Sequence, residues 1–148
     1  MILLSPVIER LRGIKNAAGG KLAHLVEGSI AYAAATKAGA ALGDGPNFYV
    51  LPLGDLPEPA KAEGGPQVVM SQFQVQVFQR LHGSVQGFTK EAELVDLENR
   101  ILGSLLGWRP ETWLGPLSLA RAGLSDFKDQ ELWWGMAFQT RYLLQPKS

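Results

Sequence analysis

Polar and apolar residues alternate most persistently near the C-terminus, from Leu132 to Gln145. Every second position from Leu132 is apolar (Leu132, Trp134, Met136, Phe138, Tyr142, Leu144), with Thr140 as the one polar interruption. Between them run Trp133, Gly135, Ala137, Gln139, Arg141 and Leu143. Period two with aromatic residues predicts a strand. Its length exceeds the typical strand of about 5–6 residues, which points to a sheet built around it. Val68 to Arg80 alternates in the same way, with Val69, Phe73, Val75 and Val77 on one face and Gln72, Gln74 and Gln76 on the other. This is the pattern of a half-buried strand whose second face is made of amides.

Helical periodicity appears elsewhere. Ser5-Pro6 reads as a helix start, and Val7, Ile8, Leu11 and Ile14 follow at helical spacing, giving a helix over about Pro6 to Asn16. Gly28-Ser29 opens an alanine-rich helix from Ile30 to about Ala40, after a short possible strand at Leu22 to Val26. Thr89 is placed as the cap of a third helix reaching Leu106, with Leu94, Leu97, Ile101, Leu102 and Leu105 as its buried stripe. Gly107-Trp108-Arg109-Pro110 ends it.

Asn47 to Leu53 predicts a further strand and Leu117 to Ala122 a modest one, with Ser125 to Gln130 as a charged turn. Gly54 to Pro66 reads as a long exposed loop, and His82 to Phe88 as a glycine-punctuated turn. Loops of that length in compact domains usually carry function or lack order. The expected architecture is α+β: a mainly antiparallel or mixed sheet of four to five strands, with about three helices packed on one face, in one domain over residues 1–148.

Composition narrows the chemistry. The hydrophobic share of 46% and charged share of 19% fit a folded protein, and the formal net charge of zero offers no electrostatic capture of nucleic acid or of an anionic membrane. There are no cysteines, which excludes disulfides, thiolate metal sites and thiol nucleophiles. The N-terminus lacks the basic and apolar regions of a secretion signal. No segment reaches the roughly 20 apolar residues of a membrane span. The expectation is an intracellular product with no membrane partner.

Candidate active sites do not hold up against plainer readings. His24 and His82 are the only histidines, far from the ligand number and spacing of a metal site. Gly43-Asp44-Gly45 leads into a strand rather than a phosphate-holding helix start. The serine in Gly103-Ser104-Leu105-Leu106-Gly107 lies inside a helix and lacks the spacing of a nucleophile elbow. Glu91, Glu93, Asp96 and Glu98 match a solvated helix face better than an acid/base pair. Asp126, Asp129 and Glu131 lack calcium-loop spacing. No catalytic residue, cofactor or metal is assigned.

Two features remain for a partner. Four tryptophans, Trp108, Trp113, Trp133 and Trp134, are many for a short chain, and tryptophan is enriched among interface anchors. Trp133 and Trp134 must point to opposite faces of a regular strand. One of them then packs on the helices while the other meets solvent or a partner, unless both are covered within the subunit. The amide face of Gln72, Gln74, Gln76 and Gln139, with Arg141, is either solvated or set against another subunit.

Several segments together resemble a known family. They are Leu4-Ser5-Pro6-Val7-Ile8-Glu9-Arg10-Leu11 near the start and Tyr49 to Gly54 before the Pro/Gly loop. Gln67, Val69, Phe73, Val75 and Val77 follow, then Leu105-Leu106-Gly107-Trp108, Leu132-Trp133-Trp134 and Thr140 to Leu144. The chain resembles, over nearly its whole length, the tail terminator proteins of long-tailed, non-contractile bacteriophages.

That resemblance implies a structural α+β subunit, assembled in the host cytoplasm into a homohexameric ring at the head-proximal end of the virion tail. Such a ring stops growth of the tail tube protein and offers a docking surface to the head–tail connector or stopper protein. Genomic DNA passes through its lumen without sequence-specific binding. On this reading Trp133, Trp134, Gln139, Arg141, Gln72, Gln74 and Gln76 serve the contact between subunits. Asp55, Glu58, Lys61, Glu63, His82 and Gln86 serve the loops that meet tube or connector. The alternatives are a neck or head–tail joining protein and, further off, a small ligand-binding domain or enzyme.

Overall fold

The computed structural model describes residues 1–37, 39–60, 62–81 and 87–145, without the side chains of 87–90. Its elements are α1 (Ser5–Arg12), β1 (Leu25–Glu27), α2 (Ser29–Ala35), β2 (Asn47–Pro57), β3 (Gln67–Arg80), α3 (Gly87–Leu105), β4 (Ser118–Lys128) and β5 (Glu131–Leu144). The five strands form one sheet in the order β1-β2-β3-β5-β4, parallel only between β1 and β2. The α+β class and mixed sheet are as the sequence predicts.

The helices, however, are not all on one face. Val7 and Leu11 of α1 and Leu97, Ile101 and Leu105 of α3 pack with Phe73, Val75, Met136 and Phe138 in the main core. There Phe73 and Phe138 stack at 5.5 Å. Helix α2 instead joins Tyr49, Phe78 and Trp133 in a second cluster on the opposite face. Both faces of β2, β3 and β5 are therefore apolar at one end, and a second cover is needed there. Burying one such large side chain contributes roughly 1.5–3 kcal/mol.

Several boundaries shift, each for a local reason. α1 begins at Ser5, with Leu4 in the cap position and no side-chain cap, and stops at Arg12 rather than near Asn16. Lys15 and Lys21 then pair in an isolated antiparallel bridge, which takes the following backbone out of the helix. α2 ends at Ala35 because the Thr36 hydroxyl donates back to the carbonyls of Tyr32 and Ala33, at 3.1 and 3.2 Å, a side-chain bond that competes with helix continuation. α3 starts at Gly87, two residues before the threonine expected to cap it.

The strands run further than sequence pattern alone indicates. β2 continues to Pro57, because the ladder to β3 resumes after a bulge between Pro52 and Gly54 and pairs Gly54 to Pro57 with Gln72 to Val69. Prolines are tolerated there because this half of β2 lies on the sheet's edge. Only residues 58–66 remain as loop. β4 absorbs most of the charged turn and runs to Lys128, leaving a two-residue hairpin at Asp129 (φ 52) and Gln130 (φ 64). Such paired positive φ values match the twist of the flanking strands.

Thr140, the polar interruption of the last strand, is buried at 2% exposure. Its hydroxyl donates to the Gly115 carbonyl at 2.6 Å, while the Gly115 amide donates to Arg141 O at 2.8 Å. Together they fasten the α3–β4 connection to β5. Thr140→Val keeps the volume but leaves that carbonyl without its donor. The expected loss is about 1–2 kcal/mol in denaturant unfolding, with no change in secondary structure by circular dichroism.

Candidate assembly surfaces

Strand directions give the molecule two distinct ends. One end carries the 58–66 loop, the start of β3 and the finish of β5. The other carries the finish of β3 at Arg80, the β4–β5 hairpin and the residues that lead into β1. β3 has fourteen residues, so the ends lie about 45 Å apart at roughly 3.3 Å per residue. The chain enters the 82–86 segment from the end opposite the 58–66 loop.

The amide face forms as the alternation implies. Gln72 and Gln139 sit opposite each other, and the Gln72 amide donates to Gln139 Oε1 at 3.3 Å. Gln76 is only 5% exposed, and its Nε2 donates to Ser125 Oγ at 3.0 Å. Gln74 lies flat across Gly135, where an added Cβ would stand 2.6 Å from Gln74 Nε2 and 2.9 Å from Ser125 Oγ. Glycine at 135 is what lets the glutamines lie down on the sheet. Arg141 projects from the far end of this face, exposed, with its guanidinium 3.8 Å from Glu58 Oε1. Gln72, Gln74 and Gln139 stay half-buried and Arg141 open.

The paired tryptophans do point to opposite faces, and neither is freely exposed. Trp133 meets Tyr32 at 5.7 Å, Tyr49 at 5.8 Å and Phe78 at 5.0 Å, in edge and tilted geometries. Burial raises the Tyr49 hydroxyl above its ordinary pKa, aided by Glu27 and opposed by a hydrogen bond from Asn47. Trp134 packs half-buried against the main core. The exposed tryptophan is Trp113, at 55%, lying edge-on to Tyr142 at 5.3 Å. With Val68 and Leu143 it lines an open recess at the 58–66 end. Trp113 sits in the aperiodic α3–β4 connection, so no alternation marked which way it points. Trp108 is held under Arg10, whose guanidinium stands 4.5 Å over the ring.

The loop residues separate. Asp55 belongs to β2, not to a loop, and its carboxylate meets the Met1 amino group at 2.6 Å. That ammonium holds Asp55 below the usual carboxylate range, with Ser71 and Tyr142 adding hydrogen bonds. Burial and Asp55 together push the Tyr142 hydroxyl up. Glu58 opens the loop, its backbone amide donating to Val68 O at 2.8 Å, and Glu63 is exposed at the turn. Lys61, His82 and Gln86 lie outside the described residues.

Nothing among the described residues assembles a reaction centre. Among the described residues, no group of three or more His, Asp or Glu side chains is placed to hold a metal ion. A recess of about 560 Å³ is an open polar groove between the segment after α2 and the β4–β5 hairpin, with Trp133 and Ala35 among its lining residues. No described helix is long and apolar enough to cross a membrane.

Comparison with curated proteins found no match. Among solved structures, the chain is similar to one from the virion of a native gene transfer agent (GTA) particle, with a TM-score of 0.54 and 17% identity. The alignment covers 96% of this chain and 95% of that one. At this identity the likeness is one of fold. The family described as phage tail terminator protein matches residues 2–148. This chain therefore belongs to the phage tail terminator protein family, whose members are structural components of the virion tail rather than enzymes.

Proposed function

We propose that this terminator closes into a homohexameric ring on the tail tube, stops its polymerisation, and presents its other end to the head–tail connector. The observation that carries this reading is the division of the subunit into two unlike ends, about 45 Å apart along the fourteen-residue β3. One ring surface then engages tube subunits and the other the connector, so growth halts where the two differ. Glu58 and Glu63 belong to the first end, with Asp55 close behind them on β2. His82 and Gln86, outside the described residues, are proposed to contact tube or connector as well.

The flanks of the sheet supply the ring contact. Its edges are unlike: β1 is three residues long and β4 eleven. Two different edges make a heterologous contact, which generates a closed ring when its rotation divides the circle. Gln72, Gln74, Gln139 and Arg141 form the uncovered part of the amide face next to the β4 edge. Gln76, Trp133 and Trp134 support that contact by holding the sheet's shape. The zero net charge suits a lumen through which DNA must slide without being retained.

Native mass measurement of the purified protein is expected to give a closed oligomer, six-fold when viewed down its axis by electron microscopy. Particles made without it are expected to carry overlong or headless tails. Tails of normal length beside full or leaking heads would instead identify a joining protein, and a strictly monomeric protein would remove the ring altogether.

A further inference from the structure

β4 is an eleven-residue edge strand with an unpaired outer side. Leu124 and Phe127 stand out from it at 59% and 51% exposure. Both lie on one sheet face, because a register shift between Leu124 and Asp126 restores the parity that their odd spacing would break. A long apolar edge is an aggregation liability unless something covers it. The same stretch carries Asp126, and Asp129 follows in the hairpin; neither has an ion-pair partner among the described residues.

The opposite edge is built differently. Around β1, the side chains of Arg12, Lys21 and His24 surround a shallow recess of about 200 Å³. Arg12 donates to the Val26 carbonyl at 2.9 Å, so its guanidinium occupies the outer side of this edge and obstructs a backbone ladder. Lys15 and Lys21 face each other in their isolated bridge, both exposed and both without an ion-pair partner among the described residues. Like charges directly opposed across a strand pair are unfavourable, so this flank carries uncompensated positive charge.

The register sets β1, which follows the basic turn, level with the Asp126 end of β4. Leu25 pairs with Asn47, Asn47 with Phe78, Phe78 with Trp133, and Trp133 with Asp126. One row of residues thus crosses all five strands, from Leu25, which follows the basic turn, to Asp126 near the end of β4. Rotation about an axis along the strands keeps that height, and it brings the β4 edge of one copy against the β1 edge of the next.

We propose that the subunit contact is a charge-complementary side-chain interface, in which Asp126 and Asp129 of one copy engage Lys15 and Lys21 of the next while Leu124 and Phe127 are covered. This rests on the ring reading above. The contact is head-to-tail, it reads polarity through charge, and it weakens as salt rises, because exposed pairs are screened beyond about 8–10 Å at physiological ionic strength.

Charge reversal on either flank tests it. Lys15→Glu with Lys21→Glu, and separately Asp126→Lys with Asp129→Lys, are each expected to weaken ring assembly at least tenfold by sedimentation. Circular dichroism should show both variants folded. Mixing the two purified variants is expected to restore rings in which they strictly alternate, since every contact then pairs opposite charges. A single chain carrying all four reversals should also form rings. If the wild type forms rings and both double variants do so equally well, the charge pairing is overturned while the ring stands. Failure of the mixture and of the fourfold variant to recover also overturns it. A wild type that stays monomeric overturns the ring reading and this contact together.

Discussion

Trp133→Ala is expected to destabilise the subunit by about 3–5 kcal/mol, as large-to-small changes at buried aromatics do. Trp133 is 9% exposed and is the shared neighbour of Tyr32, Tyr49 and Phe78, so its removal leaves three rings facing a void. It also meets α2 through Tyr32, which packs on Tyr49 of β2 as well, and α2 is a seven-residue helix without a side-chain cap. A helix that short depends on tertiary packing. Against a total stability of about 5–15 kcal/mol, the loss is large enough for partial unfolding near physiological temperature. Denaturant titration followed by tryptophan fluorescence and far-ultraviolet circular dichroism measures it. Trp133→Phe should recover much of the loss by refilling the cluster. If Trp133→Ala kept full stability and lost only ring formation, Trp133 would belong to the subunit contact rather than to the second core.

Gly45→Ala carries the second large effect, an expected loss of about 2–4 kcal/mol. Gly45 has φ 77, a conformation that costs an L-residue roughly 1–2 kcal/mol. An added Cβ would also stand 2.7 Å from the Phe78 carbonyl oxygen, which is backbone at the end of the β2–β3 ladder, held there by the β3–β5 ladder, and cannot turn away. The clash falls at the entrance to β2, beside the row that crosses the sheet at Asn47 and Phe78. Thermal unfolding should register it as a Tm decrease of several degrees or more. Gly43→Ala is the comparison: φ is 67 there but no atom lies within 4 Å of the added Cβ. It should lose only the conformational part. Equal effects at the two positions would show that the contact with Phe78 contributes nothing.

Much of this fold could be read from alternation because two-sided strands write their environment at period two. β5 carries Met136 and Phe138 toward the main core and Gly135, Ala137 and Gln139 the other way, as its sequence indicates. β3 does the same with Phe73 and Val75 against Gln72 and Gln74. Strand ends were less legible. Gly54 and the prolines that follow look like loop residues, yet β3 offers a partner ladder that holds them in an edge strand past a bulge. Ser125 to Lys128 looks like a solvated turn for the same reason: an edge strand paired on one side tolerates charge.

The candidate assembly surfaces are a different matter, because exposure depends on packing. The amide face exists where the glutamines put it. Alternation draws attention to Trp133 and Trp134, while the exposed ring is Trp113, fixed by the packing of an irregular connection against Tyr142. The basic turn and the acidic hairpin are separated by more than a hundred residues. Only the five-strand register reveals that the strand after the basic turn and the strand before the hairpin share one row, at Leu25 and Asp126.

From the residues alone came the α+β class, the buried and amide faces of the long strands, and the likeness to tail terminators. These follow from composition and periodicity, which act over a few neighbouring residues. Tertiary structure alone decided that α2 covers the face opposite α1 and α3, that Trp133 is enclosed, and that β1 stands level with the Asp126 end of β4. Those properties depend on strand order and on contacts distant along the chain, for which no local pattern exists.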